Sequence, residues 1–135
     1  MRTVFADSNI FLRLFTQDDV EQQERAEDLL RKAAKGKICL LTGPPVLFEI
    51  AWRLKTAYRQ PREKILEMLN AIAAFPGLKL IDGDLVEEAI ALARASGQEF
   101  ADAYLATIAR KNDADAIATF NRKHFEKMDV NLYPL

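Results

Sequence analysis

Only one cysteine, Cys39, and one histidine, His124, occur in the 135 residues. A lone cysteine cannot close an internal disulfide, and a lone histidine without a triad context gives no sign of covalent nucleophilic catalysis. No apolar run is long enough to span a lipid bilayer and no charged-then-apolar leader pattern is present, so the expected location is the cytoplasm. Basic charge is not in excess: 19 Lys and Arg stand against 20 Asp and Glu, a formal net charge of -1. That excludes the general positive field of an unspecific polyanion binder, so any polyanion must be held locally. Aromatic residues make up 9% of the chain, and no run of them resembles a base-stacking platform. Repeats, low-complexity tracts and long blocks of like charge are also missing.

What is present is an ordinary globular composition, half apolar and 29% charged. The length is usual for one compact domain, and a single domain over residues 1–135 is expected. Glycine and proline fall at the breaks between periodic segments, at Gly36, Gly43-Pro44-Pro45, Pro61, Pro76-Gly77, Gly83, Gly97 and Pro134. Short apolar runs at Thr3 to Ala6, Ile38 to Leu41 and Leu78 to Ile81 read as buried strands. Ala116 to Phe120 is a weaker fourth, and Leu132-Tyr133 a last edge strand. Helical spacing covers Asn9 to Leu14, Asp19 to Lys35, Val46 to Tyr58, Arg62 to Phe75, Asp84 to Ser96 and Phe100 to Lys111. Strands separated by helices need crossover connections, hence an α/β sandwich with a mostly parallel sheet and helices on both faces. Two helices stand between Leu41 and Leu78, broken at Pro61, which departs from a simple alternation of strand and helix.

Three carboxylates interrupt apolar stretches. Asp7 ends the first strand run, where parallel sheets gather their ligand crevices; it or Ser8 could equally cap the helix that follows. Glu49 is the only charge between Pro44 and Arg53 in a helix whose neighbours leave little exposed surface, although a pairing with Arg53 four residues on explains it as well. Asp102 is the only charge in "FADAYLATIA" and shares a helical face with Leu105, Ala106 and Ala109, expected to face the core; the alternative is a helix cap near Gly97. A buried aspartate must be paired, protonated or metal-bound. Clustered carboxylates without basic partners repel, and a hard cation such as Mg²⁺ or Mn²⁺ neutralises them through oxygen ligands.

With these residues in place the chain resembles a PIN domain, and most closely the VapC-type ribonuclease toxins. The carriers are "VFADSNIFLRLF", similar to the family's strand-end Asp-Ser/Thr-Asn; Glu49 in "VLFEIAW"; "FADAYLATIA", similar to its third acidic motif; and "IATFNRKHF", similar to its Thr-x-Asp-x-x-Phe. The resemblance implies a PIN-like three-layer α/β/α sandwich with a mostly parallel central sheet. It assigns Asp7, Glu49 and Asp102 to the acidic Mg²⁺ or Mn²⁺ site and to catalysis, with Asn9 and Thr119 beside it orienting carboxylates. Where the family most often has a fourth aspartate, this chain has Asn121, which offers a neutral oxygen but no charge, so a second metal is in doubt. Glu99 could compensate from the start of the same helix, or could be a solvent-facing first-turn glutamate.

The implied reaction is endonucleolytic hydrolysis of RNA, in the toxin component of a type II toxin-antitoxin pair. Arg13, Arg53, Lys55, Arg122 and Lys123 are candidates for phosphate contact, with ordinary solvated surface as the alternative for each. Implied partners are a cognate VapB-like antitoxin and a second copy of the chain as a homodimer; Phe48, Trp52 and Tyr58 could serve an interface or the core. The rival reading is a catalytically impaired PIN-like binding module that engages RNA or a protein without cutting. A phosphatase of the haloacid-dehalogenase kind ranks last, because its second aspartate is Asn9 here.

Overall fold

Three short parallel strands organise the first part of the chain: β1 (Thr3–Phe5), β2 (Cys39–Thr42) and β3 (Leu78–Leu80), in the order β1-β2-β3. The computed structural model describes residues 1–135, and its backbone contacts group into two units, Met1–Gly83 and Asp84–Leu135. In the first unit Val4 lies opposite Leu40, and Leu40 opposite Leu78. Parallel pairing forces crossovers. Each crossover carries two helices: α1 (Ser8–Phe15) and α2 (Val20–Ala34) between β1 and β2, then α3 (Pro44–Thr56) and α4 (Arg62–Ala73) between β2 and β3. The doubled helix expected after Leu41 is present, and a second doubled helix precedes β2.

The helix starts follow from local chemistry. Asp19 accepts from the Gln22 N–H and caps α2, while Pro44 and Pro45 open α3 where no backbone donor is needed. The buried faces have helical spacing: Phe11 and Leu12 on α1, Val46, Leu47, Ile50 and Leu54 on α3, and Ile65, Leu66, Leu69 and Ile72 on α4. Each fully buried leucine or isoleucine contributes about 1.5–3 kcal/mol of transfer free energy. α1 packs on α2 and α3, and α3 on α4. Gly77, at φ +87, sits against the backbone carbonyl of Ala33 so closely that any Cβ would collide with it.

The strands are less buried than their apolar character suggests. Leu40 and Thr42 on the central β2 are fully buried, but β1 and β3 are the outer strands of this sheet; Phe5 on β1 and Ile81 just after β3 are exposed.

The second unit contains α5 (Gly83–Ser96) and α6 (Phe100–Lys111), joined by an ion pair of 2.9 Å between Lys111 Nζ and Glu88 Oε1. The Glu88 carboxylate beside Lys111 raises that ammonium's pKa. Ala116 to Phe120 and Leu132-Tyr133 do not form strands. They meet in one parallel bridge, Ile117 with Leu132, through bonds of 2.8 Å from Ile117 N to Asn131 O and from Tyr133 N to Ile117 O. The ladder does not lengthen, and the Tyr133 carbonyl accepts instead from Arg122. Between the bridged segments a short 3-10 turn, Arg122–His124, leads to buried Phe125 and Met128.

Candidate functional site

Asp7 follows β1 and caps α1: its Oδ1 accepts from Ser8 N at 2.7 Å, so the capping role is real. The segment is held from below. Ala6 N donates to Leu41 O at 2.9 Å, and the fully buried Thr42 hydroxyl donates to Ala6 O at 3.0 Å. Ala6 and Ser8 on either side are buried, whereas Asp7 itself is exposed. Strand-end pairing and a buried side-chain bond thus present one carboxylate to solvent on a fixed backbone. Thr42 was not singled out in the sequence; its signal is a hydroxyl closing an apolar strand, opposite Ala6 in the parallel register.

Glu49 does not lie on a covered part of its helix. Its side chain is 48% exposed and stands 4.0 Å from Arg53, and Trp52 beside it is 65% exposed. The reason is that Val46, Leu47, Ile50 and Leu54 already form the inward face of α3, which leaves positions 49, 52 and 53 to the outer one. Within this unit α1 and α3 directly follow the neighbouring strands β1 and β2, so Asp7 and Glu49 belong to the carboxyl edge of the sheet.

In the second unit Asp102 lies in the first turn of α6 and is not its cap, a position held by Glu99. Its side chain is 22% exposed, and the face expected to be buried is mixed: Ala106 is covered but Leu105 is not. The carboxylate has a partner, because His124 Nδ1 lies 3.2 Å from Asp102 Oδ2. Nothing in the sequence joins these two residues, which come from different elements. His124 thereby enters the candidate site as the partner of Asp102.

The supporting residues take other places. Thr119 Oγ1 accepts from Asn121 N at 2.9 Å, so its hydroxyl closes a turn. Asn121 is exposed and precedes the 3-10 turn, with no side-chain capping bond. Asn9 lines a cleft of about 410 Å³ between α1 and α2 with Ile10, Arg13, Gln22 and Arg25. Arg13 is engaged there, donating to Gln22 Oε1 at 2.7 Å and to Asp18 Oδ1 at 3.3 Å. Asp18 also accepts from the Tyr58 and Thr16 hydroxyls, each at 2.8 Å; chiefly the Tyr58 bond holds its carboxyl below the ordinary carboxylate value. Tyr58 thereby serves a surface network, not the core.

No three His, Cys, Asp or Glu side chains converge closely enough to hold a metal ion in this conformation. The donor set is nonetheless all oxygen, as a hard divalent cation requires. Two of the three carboxylates are engaged only by single, partly exposed side chains. An exposed pair such as Glu49 with Arg53 is worth about 0–1 kcal/mol, so its rearrangement costs little.

A family model for the PIN domain matches residues 4–131. The chain belongs to the PIN domain family. Its six helices and parallel three-stranded sheet are those of a PIN-like α/β/α sandwich, as the sequence implied. PIN domains are in general nucleases, that is, hydrolases, and they typically use divalent metal ions. No curated protein matches the chain. No helix of this PIN domain is long and apolar enough to cross a membrane.

Proposed function

We propose that this PIN domain is a Mg²⁺- or Mn²⁺-dependent endoribonuclease and the VapC-type toxin of a type II toxin-antitoxin pair. The observation that carries the reading is the family match from residue 4 to 131, which includes all three carboxylates and runs across both units, in keeping with a single domain. Asp7, Glu49 and Asp102 would hold the cation, which would supply an activated water and neutralise the phosphate of the scissile linkage. Asp7 offers its oxygens from a backbone fixed by Thr42, and His124 sets the orientation of the Asp102 carboxylate. Arg53, once Glu49 turns away, and the exposed Lys123 draw phosphates towards the site; Arg13 contributes less because Gln22 and Asp18 engage it.

The partners follow from the same reading: RNA as substrate, a VapB-like antitoxin, and a second copy of the chain, for which exposed Trp52 is the available anchor. The cytoplasm is the corresponding location. A second reading, a PIN-like binding module without activity, is favoured by one observation, the neutral Asn121 at the family's fourth acidic position.

Incubating the purified chain with structured RNA and Mg²⁺ or Mn²⁺ separates the two. Cleavage that EDTA, Asp7→Asn and Asp102→Asn each abolish is expected. Equal cutting by wild type and both variants sinks the metal-site assignment. RNA bound but left intact by every form establishes the binding module, and Asn121→Asp then reports what the missing carboxylate does.

A further inference from the structure

Phe120 is 91% exposed and Tyr133 is 56% exposed, and both rings stand on backbone that is held in place. The bond from Asn121 N to Thr119 Oγ1 and that from His124 N to Asn121 O, at 3.1 Å, fix the chain on either side of the Phe120 turn. Tyr133 is bonded to Ile117 through its N–H, and its carbonyl accepts from Arg122 Nη1 at 3.4 Å. The two aromatic residues, far apart in sequence, thus belong to one bridged segment of the second unit. Arg122, Lys123 and His124 follow Phe120 after Asn121, all exposed, while the nearest carboxylates in sequence, Asp115 and Glu126, lie outside that run.

We propose that Phe120 and Tyr133 form a stacking platform for unpaired RNA bases, with Arg122 and Lys123 holding the adjoining phosphates. This rests on the ribonuclease reading for the identity of the polyanion. A nucleotide strand alternates a flat aromatic face with a negative charge, and exposed rings interleaved with cations match that alternation. An apolar protein partner would call for a broader hydrophobic patch than isolated rings beside charges. Duplex RNA is a poor fit, because its bases are already stacked and its major groove is closed to side chains. The turn that carries the cations also carries His124, which touches Asp102, so the platform serves a base next to the linkage at that carboxylate.

The test uses the full chain in EDTA, so that binding is read without cleavage. The probe is a short unpaired RNA with a fluorescent adenine analogue, compared with the same strand as a duplex and with an abasic strand. Phe120→Ala is expected to weaken binding of the unpaired strand roughly ten-fold or more, and Phe120→Trp to restore it. Lys123→Ala should weaken all strands alike and flatten the salt dependence. Because Phe120 is almost wholly exposed, the melting temperature should not move. Equal binding by wild type and Phe120→Ala, or an equal loss on the abasic strand, overturns the platform. So does a change in oligomeric state with RNA binding intact, which identifies a protein interface instead. Restoring Mg²⁺ distinguishes the two ideas: wild type that binds through Phe120 but never cuts refutes the nuclease, whereas cutting with unchanged KM in Phe120→Ala refutes the platform alone.

Discussion

Asp7 and Asp102 are held in opposite ways. Around Asp7 the structure is built from main chain: β1 and β2 pair up to Ala6, and a buried threonine hydroxyl closes the end of the sheet. Around Asp102 it depends on a side chain, His124, borne by a 3-10 turn in a segment with one bridge and no strand. The first arrangement rests on strand pairing with α1 packed on α2 and α3; the second rests on one bridge, the Arg110–Met128 bond and the buried Phe125 and Met128. Asp7 thus owes its place to paired main chain, and Asp102 to a contact from a segment without a strand.

The sharpest way to break this contrast is to loosen the second anchor. Met128 is fully buried, and its carbonyl accepts from Arg110 Nη2 at 2.5 Å. Met128→Ala should cost about 2–5 kcal/mol through lost burial and the cavity left behind. Hydrogen exchange should show the Ile117 and Tyr133 amides losing protection first, with the Ala6 and Leu40 amides unaffected in that regime. Simultaneous loss in both units would show that they open together, and the comparison would fail.

The reciprocal change is Thr42→Val, which keeps shape but removes the donor to Ala6 O. Leaving a buried carbonyl unpaired should cost about 1–3 kcal/mol, read as a lower denaturation midpoint, and Thr42→Ser should recover most of it. On the nuclease reading, Thr42→Val also slows cleavage while leaving the His124–Asp102 contact in place. If it left both stability and rate unchanged, Asp7 would not owe its position to the strand end.

The same contrast explains what could be read in advance. All six helices were legible to within about two residues, because glycine and proline mark their ends and their apolar faces repeat locally. Asp7 was legible for the same reason, as a strand end next to a helix start. Glu49 was misplaced outward because Trp52, although aromatic, faces solvent, and composition alone does not say which side of a helix is in excess. The Asp102–His124 contact was invisible, and of the Ile117–Leu132 bridge the two segments were legible but not their pairing: both join residues distant in sequence in a segment turned by Asp113 and Asp129 at positive φ. Periodicity carries no information about such meetings.

The smallest effect sharpens the comparison at the surface of the first unit, where Asp18 ties the α1–α2 loop to the end of α3 through Tyr58. Its carboxyl is held below the ordinary value first by the Tyr58 hydroxyl, then by Thr16, with Arg13 adding a favourable charge. A lowered folded pKa means that the folded state binds the proton less readily than the unfolded state. The stabilisation is therefore fully present above the ordinary carboxylate range and is lost as pH falls through the lowered value. Tyr58→Phe removes the main cause, so an NMR titration should show the Asp18 carboxyl moving up towards its ordinary value. The stability difference between wild type and Tyr58→Phe should be constant near neutrality and shrink only in acid. A difference that grew in acid would mean that the Tyr58 bond favours the protonated carboxyl, reversing the assignment. Because this network is exposed, the Ala6 amide should remain protected throughout, as expected if buried strand pairing and not surface polar bonds fixes the end of β1.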